Sequence, residues 1–236
     1  MAWSNYKLVT FGCSHTYGHG LKDCLGEDSR SEGPYPSKYA WPEKLKDLVN
    51  FTSVDNCAIP GSSNKMITKS IIEYPHYTKN TVVVILWSNF NRQTIFEDQK
   101  NIRIHMLPAF IKQNMPLTFW RRHKSEKTEF IKTVKTYYEN YYEQFDTIFD
   151  QLIRINYVHG YLKNKGIKSF HVFPEHEIPK KHKEYFDNFY VKNVNLKNFI
   201  WETNFYIDEA LDKPNPHPGH NSHALFAANL KKWFFK

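Results

Sequence analysis

A serine directly follows the first predicted strand of the chain. The run Lys7 to Phe11 is short and β-prone, and it ends at Gly12, just before Cys13 and Ser14. At the carboxyl end of a parallel strand, a serine hydroxyl lies at the sheet edge where open α/β folds bind ligands. Its backbone N–H can also face a developing oxyanion. This placement indicates a nucleophile for acyl transfer, and the alternative is a serine that only caps the next helix.

Two further loops after predicted strands carry hydrogen-bond donors. Gly61 stands in a Pro-Gly turn after the predicted strand Thr52 to Asn56, where the backbone can approach a ligand closely. Asn89 follows the apolar run Thr81 to Trp87, and its side-chain amide could donate to an oxyanion. Taken alone, each segment also fits an ordinary turn or loop.

A histidine near the C terminus is suited to act as a general base. His217 stands in a proline-rich segment before a predicted helix, which would hold the imidazole ring while leaving it accessible. His220 and His223 are expected on or near that helix as capping or packing residues. The three-residue recurrence, together with His15 and His19, leaves a metal site as an alternative, although the spacing matches no zinc motif.

Strands and helices alternate along the chain and would position these residues. The unbroken apolar run Thr81 to Trp87 is typical of a strand buried on both faces, as in a parallel sheet. A further strand is predicted at Ser169 to Phe173, and helices from Trp41, from Asn64 to Tyr74 and from Leu225 to Phe235. The pattern predicts an α/β domain with a mostly parallel central sheet flanked by helices.

Residues 128 to 165 are predicted to form one long helix that ends at Gly166. Its apolar residues are spaced three and four apart: Ile131, Val134, Tyr138, Tyr141, Phe145, Ile148, Leu152 and Ile155. A helix packed across a sheet gives such a stripe and is the preferred interpretation. The alternative is a coiled-coil seam, which would support a homodimer.

Composition limits the class of protein. The 236 residues are 41% hydrophobic, 24% charged and 17% aromatic, which excludes a disordered or low-complexity chain and favours one folded domain. Three cysteines without a CxxC pair fit a reducing compartment. We find neither a signal-peptide pattern nor an apolar segment of about 18 residues, so a cytoplasmic protein without membrane contact is expected.

The positive charge is concentrated in one segment. The chain has a net charge of +8, and residues 99 to 135 hold nine Lys and Arg against two Glu, which is +7 of it. Aromatic residues are interleaved with these cations, so nucleic-acid binding is an alternative function. No RNA-binding signature accompanies the segment, and nucleic acid is not the expected partner.

Taken together, the four motifs resemble the SGNH/GDSL hydrolase superfamily. Gly12-Cys13-Ser14-His15-Thr16 is similar to its first block, with Ser14 at the nucleophile position and Cys13 where an aspartate usually stands. Gly61 matches the second-block glycine, and Asn89 is the nearest match to the third-block asparagine, without the usual preceding glycine. His217-Pro218, followed by a small-residue helix, is similar to the fifth block. The run GCSHTYGHGL and the Trp-Pro helix start are similar to short members encoded by bacteriophages, which would place the protein in a host cytoplasm or a virion.

The resemblance implies a fold and a reaction. The fold would be a three-layer, flavodoxin-like sandwich, and the reaction would be ester hydrolysis without a cofactor or metal. Ser14 would be the nucleophile and His217 the general base, with an oxyanion hole made by the N–H groups of Ser14 and Gly61 and the amide of Asn89. The family places an aspartate three residues before the histidine, where this chain has Pro214. Either Asp212 completes a triad, or the site is a Ser-His dyad or inactive.

The substrate is expected to be an O-acetyl group on a carbohydrate or surface polysaccharide. Residues 95 to 127 match no family block and are interpreted as a basic, aromatic insertion in a single domain of residues 1 to 236. Within it, Trp120, Arg121 and Arg122 are expected to bind substrate. The alternatives are a lipid, thioester or peptide-like acyl group, or an inert relative that binds carbohydrate without cleaving it.

Overall fold

Five parallel strands form the central sheet. The structure, a computed structural model, describes residues 3–26, 33–97, 102–106, 127–174, 196–199, 204–212 and 217–236. The sheet has the order β2-β1-β3-β6-β7, in which the strands are β1 (Lys7–Phe11), β2 (Ser53–Asn56), β3 (Thr81–Leu86), β6 (Lys168–Pro174) and β7 (Leu196–Phe199). β4 (Gln93–Glu97) and β5 (Ile102–Met106) form a separate antiparallel pair. β1 and β3 are therefore central, and their carboxyl ends meet at one edge.

Helices cover both faces of this sheet. They are α1 (Ser14–Tyr17), α2 (Trp41–Val49), α3 (Asn64–Glu73), α4 (Lys127–Asn140), α5 (Gln144–Asn164) and α6 (His220–Phe234). Side chains alternate along β3, so Val82 and Val84 pack with α2 and α6 on one face, while Val83 and Ile85 pack with α3 and α5 on the other. The α/β fold with a mostly parallel sheet flanked by helices, as expected from the sequence, is confirmed.

The single long helix predicted for residues 128 to 165 is wrong, because the chain breaks between α4 and α5. Tyr141, predicted to lie on the buried stripe, is 74% exposed. Glu143 then starts a new helix, since its carboxylate accepts a hydrogen bond from the N–H of Phe145. The three- and four-residue spacing of apolar residues continues across this break. Such spacing alone therefore cannot reveal that one helix ends and another begins within it. Beyond it, Ile148, Leu152 and Ile155 are buried against the sheet, and Gly166, with a φ of 71°, follows the helix end.

Two other boundaries differ from the sequence expectations. α6 begins at His220 rather than Leu225, because Asp208 supplies hydrogen-bond acceptors to its first turn from a distant part of the chain. β7 has only four residues and gives no strand signal in the sequence. The division of the chain into one domain with an insertion at 95–127 stays a prediction, since the structure describes only part of β4, β5 and the first residue of α4 in that range.

Candidate active site

Ser14 lies where the central strand β1 turns into α1. Cys13 takes the N-cap position and Ser14 is the first residue of the helix, so the alternative of Ser14 as a helix cap is wrong. Its carbonyl accepts hydrogen bonds from the N–H groups of Gly18 and His19 at 2.9 and 3.1 Å. Gly12 allows this tight turn, because a Cβ there would overlap with the Thr16 side chain and lie 3.1 Å from the Leu86 carbonyl.

Asp212 is the carboxylate that reaches His217. His217 Nδ1 donates a hydrogen bond to Asp212 Oδ2 at 2.6 Å, and the His217 backbone N–H donates to Asp212 Oδ1 at 3.0 Å. The carboxylate therefore lies five residues before the histidine that it contacts. Nδ1 is held as the donor, so the Nε2 atom of a neutral ring remains an acceptor.

The Asp212 carboxylate is enclosed by the segment after α1. A Cβ at Gly20 would overlap with Asp212 Oδ1 and lie 2.9 Å from Ala210 Cβ, and the Gly20 carbonyl accepts the N–H of Leu211. Burial by itself would raise the pKa of Asp212. The hydrogen bonds from His217 lower this pKa and outweigh the effect of burial, so the net pKa is below its usual range. The carboxylate is therefore ionised at neutral pH and can stabilise a protonated His217.

The His217 ring lies between two histidines of the Ser14 segment. Its centroid is 5.3 Å from that of His15 and 4.6 Å from that of His19. Burial, and secondarily His217 and Arg92, lower the pKa of His15 well below its usual value, so His15 is neutral. The ring contacts place His217 beside the helix that begins at Ser14. No hydrogen bond between Ser14 Oγ and the His217 ring is found in the part of the chain that the structure describes.

Two asparagines, one half-buried and one buried, connect the loops that carry the other expected site residues. The side chain of Asn56 donates to the Thr16 carbonyl at 2.7 Å and so ties the second loop to α1. Asn64 forms two hydrogen bonds with the backbone of Ser88, next to Asn89, at 2.7 and 3.0 Å. Sequence reasoning missed both roles. The available signal was an asparagine at the end of β2 and another at the first position of α3.

Gly61 and Asn89 occupy the loops expected of them. Gly61 has a φ of 75°, and no atom lies within 4 Å of the position of a Cβ, so open space adjoins its backbone. Asn89 is half-buried, and its carbonyl accepts the N–H of Arg92. Both residues follow strands next to β1, at the edge where Ser14 lies. Their roles as oxyanion donors stay a prediction.

Asp208, the other carboxylate near His217 in sequence, has a different role. It accepts hydrogen bonds from the N–H groups of Asn221 and Ser222, at 2.9 and 2.7 Å, and from the Ser222 hydroxyl. Burial would raise the pKa of Asp208, but these hydrogen bonds lower it below its usual range. Asp208 thus anchors the first turn of α6, directly after the His217 segment.

His217, His220 and His223 do not come together as a metal site. His223 is fully buried, and its Nδ1 accepts the N–H of Trp41 at 3.0 Å, which ties α6 to α2. His220 is exposed and lies beside Lys44, so both residues take the capping or packing positions expected for them. A different group does bring ligand atoms together: those of His19, Asp212 and His217 lie within 4.8 Å of one another.

Several expected substrate contacts lie outside the described residues. These are Trp120, Arg121 and Arg122, together with most of the basic segment 99–135. The expectation that nucleic acid is not the partner therefore stays a prediction. Among the described residues, no helix combines the length and apolar character that crossing a membrane requires.

Comparison with known proteins identifies the fold. No family model and no curated protein sequence matches the chain. A carbohydrate esterase of solved structure, with divergent catalytic and non-catalytic binding functions in its active site, has a TM-score of 0.52 and 11% identity over 97% of this chain and 67% of its own. Phospholipase A1 from Streptomyces albidoflavus NA297 has a TM-score of 0.52 and 11% identity, over 96% of this chain and 99% of its own.

An acetyl xylan esterase from the rumen bacterium Butyrivibrio proteoclasticus is similar to the same extent. Its TM-score is 0.51 at 12% identity, over 97% of this chain and 65% of that esterase. This chain therefore spans about two thirds of the length of each of the two carbohydrate-directed enzymes. At these identities the likeness concerns the fold alone.

Proposed function

We propose that the protein is a serine esterase that hydrolyses an O-acetyl ester on a carbohydrate. The observation that carries the proposal is the 2.6 Å hydrogen bond from His217 Nδ1 to the buried Asp212 carboxylate, in a ring that packs beside the helix of Ser14. An aspartate that holds Nδ1 as a donor serves a histidine whose Nε2 takes up a proton.

The reaction has two halves. Ser14 Oγ attacks the ester carbonyl carbon while His217 Nε2 takes the hydroxyl proton, and Asp212 stabilises the resulting imidazolium. The N–H groups of Ser14 and Gly61 and the amide of Asn89 hold the oxyanion. Collapse of the intermediate releases the sugar hydroxyl, which takes the proton from His217. Water then attacks the acetyl-Ser14 ester while His217 takes one of its protons. As the bond between the acetyl carbon and Ser14 Oγ breaks, His217 returns that proton to Ser14 Oγ, and the acetic acid formed ionises to acetate.

The acetyl-carbohydrate substrate rests on two supports. Two of the three similar folds belong to enzymes described as a carbohydrate esterase and an acetyl xylan esterase, whereas the third is a phospholipase. The chain also places Arg92 within electrostatic range of His15, and its sequence adds Trp120, Arg121 and Arg122 after the β3 loop. Cations and aromatic rings suit an acidic glycan.

Replacement of the serine tests the reaction. We expect Ser14→Ala to abolish hydrolysis of p-nitrophenyl acetate while the thermal unfolding midpoint stays close to that of the wild type. Ser4→Ala, on the exposed N-terminal segment, is the matched control and should retain full activity. Undiminished turnover by Ser14→Ala would contradict the proposal.

A substrate panel tests the class of ester. We expect release of acetate from acetylated glycans to exceed hydrolysis of p-nitrophenyl esters whose acyl chains lengthen beyond acetyl. Preference for long acyl chains would instead favour a lipid substrate. Binding of acetylated glycan without acetate release would favour the inert carbohydrate-binding alternative.

A further inference from the structure

Three side chains from two distant segments converge at the proposed active site, and two of them, Asp212 and His217, belong to it. His19 Nε2 lies 4.0 Å from Asp212 Oδ2, and His217 Nδ1 lies 2.6 Å from the same oxygen. All three ligand atoms lie within 4.8 Å of one another. His19 follows α1, whereas Asp212 and His217 belong to the C-terminal part, so only the tertiary fold assembles this group. The reaction proposed above has no use for His19.

The spacing of these atoms suits a small divalent ion. Zinc binds histidine nitrogen and carboxylate oxygen at about 2.0–2.2 Å, so tetrahedral ligand atoms lie roughly 3.3–3.6 Å apart. The observed 2.6 and 4.0 Å separations bracket that value. Small rotations of two imidazole rings and one carboxylate would equalise them. Two imidazoles and one carboxylate also match a ligand set that zinc uses in proteins.

Burial favours a specific site over loose surface association. The side chains of His19 and Asp212 are 11% and 6% exposed, while that of His217 is 24% exposed and offers a path of entry. Gly20 packs closely against the Asp212 carboxylate and limits its movement. The nearby positive charge of Arg92, which acts on His15, opposes a cation and favours moderate over very tight affinity.

We propose that His19, Asp212 and His217 form a binding site for a divalent transition metal ion of the zinc type, and that this ion inhibits the enzyme reversibly. When a metal ion binds His217 Nδ1, the neutral ring takes its other tautomer, and its single proton moves from Nδ1 to Nε2 by exchange with solvent. Nε2 can then no longer accept the proton of Ser14. The inhibition rests on the proposed function, whereas the binding does not.

The experiment measures binding and hydrolysis separately. Isothermal titration of the full chain with zinc chloride, in a buffer that does not chelate metals, should show one saturable site. We expect His19→Gln to weaken this binding by at least about 10-fold, since even the residues that only support a ligand have effects of this size. The matched control is His220→Gln, an exposed histidine outside the group, which should bind zinc as the wild type does.

Two further variants control for indirect effects on zinc binding and for loss of folding. Ser14→Ala should keep the wild-type affinity for zinc, because the serine is not a ligand. If His19→Gln does not fold, as judged by circular dichroism, His217→Gln replaces a more exposed ligand and should weaken binding equally. Cobalt, which absorbs visible light strongly in tetrahedral sites, should give a spectrum with the wild type that both ligand variants lose.

The outcomes separate the two proposals. Absence of a saturable site, or wild-type affinity in the folded ligand variants, would overturn the metal site whatever the enzyme does. Zinc binding that depends on His19, in a protein without esterase activity, would support the site and refute the proposed function. Ester hydrolysis that zinc at saturating concentration leaves unchanged would refute the inhibition.

Discussion

Ser14 and His217 are held in place by different physical means. The turn that carries Ser14 depends on close backbone packing, which Gly12 permits against Thr16 and the Leu86 carbonyl. The His217 segment depends on two ionised carboxylates, because Asp212 binds His217 itself and Asp208 binds the first turn of α6 just beyond it. The serine side should therefore be sensitive to added volume, and the histidine side to lost charge and to acid.

The two carboxylates of the histidine side can be told apart by a matched pair of substitutions. We expect Asp212→Asn to lower kcat for acetyl ester hydrolysis on the order of 10⁴-fold, because an amide no longer holds His217 Nδ1 as the donor. Asp208→Asn should change kcat only several-fold, since asparagine caps helices about as well as aspartate. Steady-state kinetics of both variants is the measurement.

The reverse result would be informative. If Asp208→Asn lost as much activity as Asp212→Asn, the carboxylate that orients His217 would be misassigned. A small effect of Asp212→Asn on kcat would instead indicate a Ser-His dyad in which the aspartate has a structural role only.

Added volume tests the serine side. We expect Gly12→Ala to lower the free energy of unfolding by about 1–3 kcal/mol, because its Cβ would overlap with Thr16. Displacement of Ser14 should also lower kcat by roughly 100-fold. Gly160→Ala within α5 is the control: nothing lies within 4 Å of its Cβ, and a gain of about 0.5–1 kcal/mol is expected. Urea unfolding with parallel kinetics checks both variants, and equal stability changes would contradict the steric argument.

Acid should affect the histidine side through His223. Burial first, and then Lys44, lower the pKa of His223 to about 3, with Asp208 opposing them. The unfolded chain therefore binds this proton at higher pH than the folded chain, so His223 contributes stability above about pH 6.5 that is lost as pH falls toward 3. The slope is at most about 1.4 kcal/mol per pH unit.

The variant His223→Asn isolates this contribution. Asparagine Oδ1 can still accept the Trp41 N–H but does not titrate, so we expect a flatter decline of the free energy of unfolding between about pH 7 and 5. Buried His171, whose pKa burial also lowers to about 3, leaves part of the slope. The exposed control His220→Asn should retain the wild-type slope, and an unchanged slope in His223→Asn would refute this assignment.

Much of the framework could be predicted from local patterns. The strands β1, β3 and β6 can be predicted to within a residue of their observed ends, because each is a short β-prone run and that of β3 is continuously apolar, as is typical of buried parallel strands. The break at Tyr141 could not be predicted, since the apolar spacing continues through it. The roles of Asn56 and Asn64 could not be predicted either, because the side chain of each forms a hydrogen bond with a backbone group that is distant in sequence.

The sequence by itself determined the order of strands and helices and the loops in which Ser14, Gly61, Asn89 and His217 stand, because hydrophobic period and turn residues are local properties. Only the tertiary structure decided between Asp208 and Asp212 as the partner of His217. Both lie upstream of the histidine at unusual spacing. The choice depends on how that segment closes over Gly20 and on where α6 begins, and both contacts join parts of the chain far apart in sequence.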